Sequence, residues 1–537
     1  MGAVTLEEKI GQLLMLAFAG NRLDEAAILL QRHHVGACYL GQENAPTPRE
    51  AQELTRRLQA LASASGQPAP MLLGVDQEGT WGVMVPGSAT GPGNLALGAA
   101  ADAEVTRRMY RVLGDELRAV GYNTIFAPCV DVNSNPDNPI IGMRSFGEQP
   151  EAVARLAAAA VRGAREAGVI TTAKHFPGHG DTSTDSHRGI PRVDRPRADI
   201  ERVDLLPFRS AIAAGVDVMM TSHILFPELD NENPATLSRG IITDLLRGEM
   251  GFTGMVLSDS MNMGAMRRNY DPAESAVKAL LAGVDMIMLA EEHYDHDAGR
   301  YLDIQVRMIR GMVDAARRGV LPESRVDEAV SRVLALKGRI PAQAGELSSV
   351  GGAAHRAVEA EAAQRAVCLA WDRGRVVPLG KGRKVTVVNA TTRASYPILT
   401  RTRGIGPNQA EPAFDAFAGA LAGQVPGLTV LPAERLLQGG GVPSEVTGAD
   451  RVVVVLENYT LPGLSFDSES HARVLDLLRP YAARVVLVAL CDPYVLRERQ
   501  SFAAAVCTCS SRGVSAAAAA RALCGAIPFK GKLPVSI

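Results

Sequence analysis

No Cys-x-x-Cys pair occurs among the seven cysteines (38, 129, 368, 491, 507, 509 and 524), and their number is odd. The pattern reads as buried free thiols in a reducing compartment. Charge of one sign is missing too. Lys and Arg total 56 against 58 for Asp and Glu, a formal net charge of −2, so neither nucleic acid nor an anionic membrane is expected as a partner. No run of about 18 apolar residues marks a membrane span. The first nine residues, Met1–Lys9, lack the basic region and apolar core of a signal peptide, so a cytoplasmic location is expected. No glycine fingerprint follows the first strand-like run, which argues against an open dinucleotide-binding sheet. No short-period repeat and no low-complexity tract stands out. Oligomeric state leaves no mark; a monomer or homodimer is expected.

What is present is an ordinary globular composition, 47% hydrophobic and 21% charged. At 537 residues the chain exceeds the size of a single core, about 250–300 residues, so more than one domain is expected. Thr5, with Glu8 as capping-box partner, opens an amphipathic helix whose apolar stripe is read as Leu6, Ile10, Leu13, Leu14 and Phe18. Strand-like runs follow at 35–40, 71–76, 124–130, 169–175, 216–222, 254–258 and 284–289. Helical stretches separate them, as at 101–120, 150–167, 202–214, 239–249 and 272–282. Near-continuous apolar strands alternating with amphipathic helices imply a parallel sheet covered on both faces. Seven such units predict an α/β fold, a (β/α)8 TIM-type barrel over residues 1–338, with the eighth strand not placed. A Pro- and Gly-rich linker is expected at 339–355 and a smaller α/β domain, an αβα sandwich, at 356–537. Its strands are predicted at 384–389, 451–456, 484–490 and 503–507, and no second convergence of ionisable residues is expected there.

The most informative stretch is Lys174-His175-Phe176-Pro177-Gly178-His179-Gly180-Asp181-Thr182-Ser183-Thr184-Asp185-Ser186-His187, directly after an apolar strand. It is far longer than the 2–6 residues a βα connection commonly needs, and glycines 178, 180 and 189 would let it bend. A metal site is one reading, but Pro177 and Gly178 forbid the helix that His175 and His179 would need to ligate at i, i+4. Ser186 as a nucleophile is another, without a glycine-flanked elbow to support it. Asp185 and His187, two apart, can share one side of an extended loop as a proton-exchanging dyad. A merely polar, hydrogen-bonded loop is the plain alternative. Other polar residues also fall at strand C-terminal ends: Asp76, Gln77 and Glu78, Asp131 and Asn133 with Arg144 beyond, His223, and Asp259. In a barrel that placement gathers them into one composite site.

The stretch closely resembles the signature of bacterial β-N-acetylglucosaminidases of glycoside hydrolase family 3, in the two-domain form. The resemblance implies Asp185 and His187 as the acid/base dyad. It implies Lys174, His175, Arg144 and Asp76 as sugar-binding residues. Asp259, in Leu257-Ser258-Asp259-Ser260, matches the nucleophile, with Ser260 where the family carries a second acid. His223 is expected to line the site. One departure stands at Asp76-Gln77-Glu78-Gly79-Thr80-Trp81-Gly82-Val83-Met84. The family's two arginines are replaced by Trp81 and Met84, so glycone recognition is expected to differ, with Trp81 either stacking on a sugar face or filling a core gap. The implied reaction is retaining removal of terminal β-linked GlcNAc, with muropeptides as the expected source, and no metal or organic cofactor. A phosphorylase, a β-glucosidase and a non-catalytic sugar-binding relative are the alternatives.

Overall fold

A computed structural model describes residues 4–79, 85–187, 189–290, 298–341, 344–400, 411–439, 441–459 and 466–537. Eight parallel strands form the first sheet: β1 Leu14–Leu16, β2 Ala37–Tyr39, β3 Leu72–Val75, β4 Thr124–Ile125, β5 Ile170–Phe176, β6 Val218–Thr221, β7 Met255–Leu257 and β8 Ile287–Leu289. Their order is β7-β6-β5-β4-β3-β2-β1-β8. A parallel bridge between Leu257 and Met286 joins the two ends, with Ser258 N–H donating to Met286 O at 3.0 Å. The sheet thus closes into a barrel.

The strand missing from the sequence reading is β1. The first helix, Leu6–Gln12, starts in the Thr5–Glu8 capping box as expected but stops before Leu13. Leu13, Leu14 and Phe18 are therefore not part of its stripe. The run from Leu13 to Phe18 is apolar at every position and buried. A helix there would cover only one face, whereas a strand between β2 and β8 buries both. The strands that carry Asp76, Asp131, His223 and Asp259 are accordingly the third, fourth, sixth and seventh.

The second sheet holds β9 Cys368–Asp372, β10 Val385–Asn389, β11 Thr429–Pro432, β12 Arg451–Glu457, β13 Val485–Leu490 and β14 Ala504–Cys507. Its order is β11-β10-β12-β13-β14-β9, parallel except for β9. Helices Ala413–Ala422 and Gly513–Leu523 cover one face. Helix Ser468–Leu478 covers the other, where the barrel's own Leu95, Ile140, Ile141 and Met143 join the same apolar cluster. Between the sheets, helix Ala353–Ala366 is tied to the barrel: Glu359 accepts Gly91 N–H at 3.1 Å, and Arg365 pairs with Asp102 at 3.0 Å. Among the described residues no helix is long and apolar enough to cross a membrane.

Contrary to the sequence reading, the second sheet does gather polar groups. Glu457, at the end of β12, is fully buried and accepts Ala413 N–H at 2.6 Å, Phe414 N–H at 3.0 Å and Tyr396 O–H at 3.0 Å, with Tyr459 O–H as a further donor. Its partners lie on separate segments between 396 and 459, so no local motif announces them.

Candidate active site

All strands deliver their C-terminal ends to one mouth of the barrel. At β3, Asp76 accepts Lys174 Nζ at 2.6 Å and Tyr39 O–H at 3.0 Å. Glu78 lies deeper and is fully buried. It accepts Lys174 Nζ at 2.5 Å and both Arg144 Nε (2.9 Å) and Nη2 (3.0 Å). Burial alone would push the Glu78 carboxyl up, but Arg144 and Lys174 outweigh it and hold it at about 2. Two cations and two carboxylates thus form one chain, Arg144–Glu78–Lys174–Asp76. Such chains are tolerable inside a protein only when every charge is paired.

His175 joins that chain through Arg144 and is held from its other side by Asp131. Its Nδ1 lies 2.8 Å from Asp131 Oδ2 and its Nε2 3.3 Å from Arg144 Nη2. A carboxylate can only accept and a guanidinium only donate, so the tautomer with the proton on Nδ1 is set from both sides. Burial, with Arg144 beside it, drives the His175 imidazole well below its ordinary range. Asp131 also accepts His179 N–H at 2.7 Å and the Cys129 thiol at 3.1 Å. Cys129, Asp131 and His175 bring their potential ligand atoms within 4.8 Å of one another. Burial pushes the Cys129 thiol well up, and the protons of the thiol and of Nδ1 already satisfy the Asp131 carboxylate.

The long loop after β5 carries Asp185 and His187. His187 Nδ1 lies 2.7 Å from Asp185 Oδ1, which also accepts the His187 backbone N–H at 2.9 Å. Burial would raise the Asp185 carboxyl, but His187 outweighs it and keeps it below the usual carboxylate range. With the Nδ1 proton held by Asp185, Nε2 is the atom left to exchange one. The other Asp185 oxygen, Oδ2, is buried with no hydrogen-bond partner among the described residues. The loop is braced: Asn138 Nδ2 donates to His179 O at 2.8 Å, Asn135 Nδ2 to Thr182 O at 3.1 Å, and Ala265 N–H to Ser186 O at 3.1 Å. His179 Nε2 lies 3.1 Å from Ser186 Oγ, so Ser186 supports the loop.

Asp259 follows β7, and its Oδ1 accepts Ser260 N–H at 2.8 Å. Burial raises its carboxyl, but the imidazoles of His175 and His223, the Ser260 N–H and His187 together hold it below the usual range. His223 has both ring nitrogens engaged, Nε2 with Ser260 O at 3.0 Å and Nδ1 with Thr236 Oγ1 at 2.9 Å. It reaches the site through the Ser260 backbone. Trp81 and Met84 lie outside the described residues.

Of the nine residues given a catalytic or sugar-binding role from sequence, eight, all but Trp81, stand at this mouth. In the sequence Glu78 and Asp131 stand out by position alone, and Tyr39 carries no signal. The signal for the two acids was available: each is a carboxylate at the end of an apolar strand.

Residues 5–336 match the family model described as the glycosyl hydrolase family 3 N-terminal domain. The chain is 34% identical to beta-hexosaminidase A of Pseudoalteromonas piscicida over 67% of its own length and 63% of that protein's, so it spans less than two thirds of that relative. It is 28% identical to a beta-N-acetylglucosaminidase/beta-glucosidase of Cellulomonas fimi over 98% of this chain and 93% of that one. A solved glycoside hydrolase family 3 beta-N-acetylglucosaminidase from Paenibacillus sp. str. FPU-7 superposes with a TM-score of 0.84 at 32% identity, covering 99% of each chain.

Proposed function

Because this chain belongs to glycosyl hydrolase family 3, as the match across residues 5–336 shows, we propose that it is a retaining β-N-acetylhexosaminidase that removes terminal β-linked GlcNAc. Muropeptide fragments are the proposed natural source. The observation that carries the reading is the Asp185–His187 pair on a loop whose Ser186 carbonyl is bound by the Asp259-bearing loop, at Ala265. Acid/base group and nucleophile are then linked over one sugar site.

In the first step Asp259 attacks the anomeric carbon. The C–O bond to the aglycone breaks while His187 Nε2 gives its proton to the leaving oxygen, forming a glycosyl ester. In the second step His187 takes a proton from water, whose oxygen displaces Asp259, and configuration is retained. Asp185 holds the imidazole tautomer through both steps. Asp76 and Lys174 bind sugar hydroxyls; Arg144 and His175 complete the glycone pocket; His223 positions the Asp259 loop. No metal or organic cofactor is required by this route. An imidazole keeps negative charge away from the anomeric face, which would also admit phosphate as acceptor.

The test uses a nitrophenyl β-GlcNAc with the parent, Asp259→Ala and His187→Ala. Turnover in the parent and its loss in Asp259→Ala is expected; equal rates in all three would refute the proposal. The same assay with the glucoside, and with added phosphate, separates the glucosidase and phosphorylase alternatives.

A further inference from the structure

None of the residues given a role in the proposed reaction lies in the second sheet, yet one of its loops reaches the same mouth of the barrel. That loop follows β13. Asp492 caps its turn Pro493–Leu496 by accepting Tyr494 N–H at 2.6 Å. The Arg497 guanidinium lies 4.4 Å from the Tyr494 ring centroid. The phenol is therefore held from its backbone and from its face.

The Tyr494 hydroxyl meets the barrel. Asn133 Nδ2 donates to it at 2.8 Å. Asn133 is itself 2% exposed, so that donor has no recourse to solvent. Its Oδ1 accepts Gly142 N–H at 3.2 Å, and its own N–H donates to Gly147 O at 3.0 Å. These two bonds flank the short turn Gly142–Arg144 from which Arg144 reaches Glu78 and His175. Met143, in the middle of the turn, packs its Sδ 3.7 Å from Cys491 Sγ. The loop of the second sheet thus touches the Arg144 turn directly at Met143 and through an amide at Asn133.

We propose that Tyr494 is a positioning residue for Arg144, acting through Asn133. The phenol gives the buried Asn133 Nδ2 its acceptor, which keeps Oδ1 turned toward Gly142 N–H. Without the hydroxyl the amide has an unpaired buried donor and swings to find another acceptor, and the turn loses its anchor. This rests on the proposed glycone-binding role of Arg144. It gives the second sheet a part in substrate recognition.

Tyr494→Phe removes the hydroxyl and keeps the ring under Arg497. With nitrophenyl β-GlcNAc, KM is expected to rise about threefold to tenfold, the worth of one hydrogen bond, with kcat within about twofold of the parent. Asn133→Ala is expected to raise KM alike, and the double variant no further than Asn133→Ala alone. An unchanged KM in Tyr494→Phe overturns the inference, even if the melting temperature falls. So does a fall in kcat at constant KM, or additivity in the double variant. A parent without turnover refutes the proposed reaction instead. Calorimetric Kd for GlcNAc then replaces KM, with the same ratios expected.

Discussion

In the proposed reaction His187 and Asp185 turn on the placement of one proton. Asp185 Oδ1 accepts both the backbone N–H and Nδ1 of His187. An amide in its place can turn its own N–H toward Nδ1 and reverse the tautomer. Asp185→Asn is therefore expected to lower kcat by about 10³ to 10⁴ with KM little changed, read from steady-state kinetics. Glu78 poses a different question, since its carboxylate answers both Arg144 and Lys174. Glu78→Gln leaves buried cations short of a partner and is expected to cost about 3–5 kcal/mol in denaturant unfolding. The sign with pH follows from its low pKa. A carboxyl held at about 2 in the fold, against 4.5 ordinarily, adds stability that is complete above pH 4.5 and is lost as pH falls toward 2. The urea midpoint of the parent should drop more steeply across that window than that of Glu78→Gln.

At the scale of the element, the glycines of the β5 loop are not equivalent. A Cβ on Gly180 would lie 1.7 Å from Val132 O, and Gly178 takes φ +144° against Asp204. These two permit close packing against neighbouring backbone and side chain. Gly189 has nothing within 4 Å of its Cβ position. Gly178, with its positive φ, takes the bend expected of a glycine there. Gly180→Ala must displace the loop from the β4 loop, and a misplacement near 1 Å costs about a hundredfold in kcat. Gly189→Ala is expected to retain activity within about twofold, and circular dichroism should show the barrel intact in both.

For the whole molecule, the two sheets share apolar contacts. Leu95, Ile140, Ile141 and Met143 of the barrel sit in one cluster with Cys491, Leu496 and Val535. Glu148 adds bonds to Ser536 N–H at 2.9 Å and Ser536 Oγ at 2.6 Å. Separating the sheets would expose the barrel side of that cluster. Scanning calorimetry is therefore expected to show one transition with matching calorimetric and van't Hoff enthalpies, not two.

The pattern of apolar strands and amphipathic helices was enough to read the barrel, because strands buried on both faces are near-continuous apolar runs set between helices with a one-sided apolar stripe. The residues at strand ends were legible for the same reason: an apolar run that stops at a carboxylate or a histidine marks a place where chain meets solvent or substrate. β1 escaped because a short run apolar at every position has no period to separate strand from helix. Glu78, Asp131, Tyr39 and Tyr494 took their places only in the folded chain. Each owes its role to a partner far away in sequence: Arg144 for Glu78, His175 for Asp131, Asp76 for Tyr39 and Asn133 for Tyr494. Hydrogen bonds and ion pairs between distant segments leave no periodic trace, so only tertiary structure could decide which acids and phenols serve the site and which merely line the way to it.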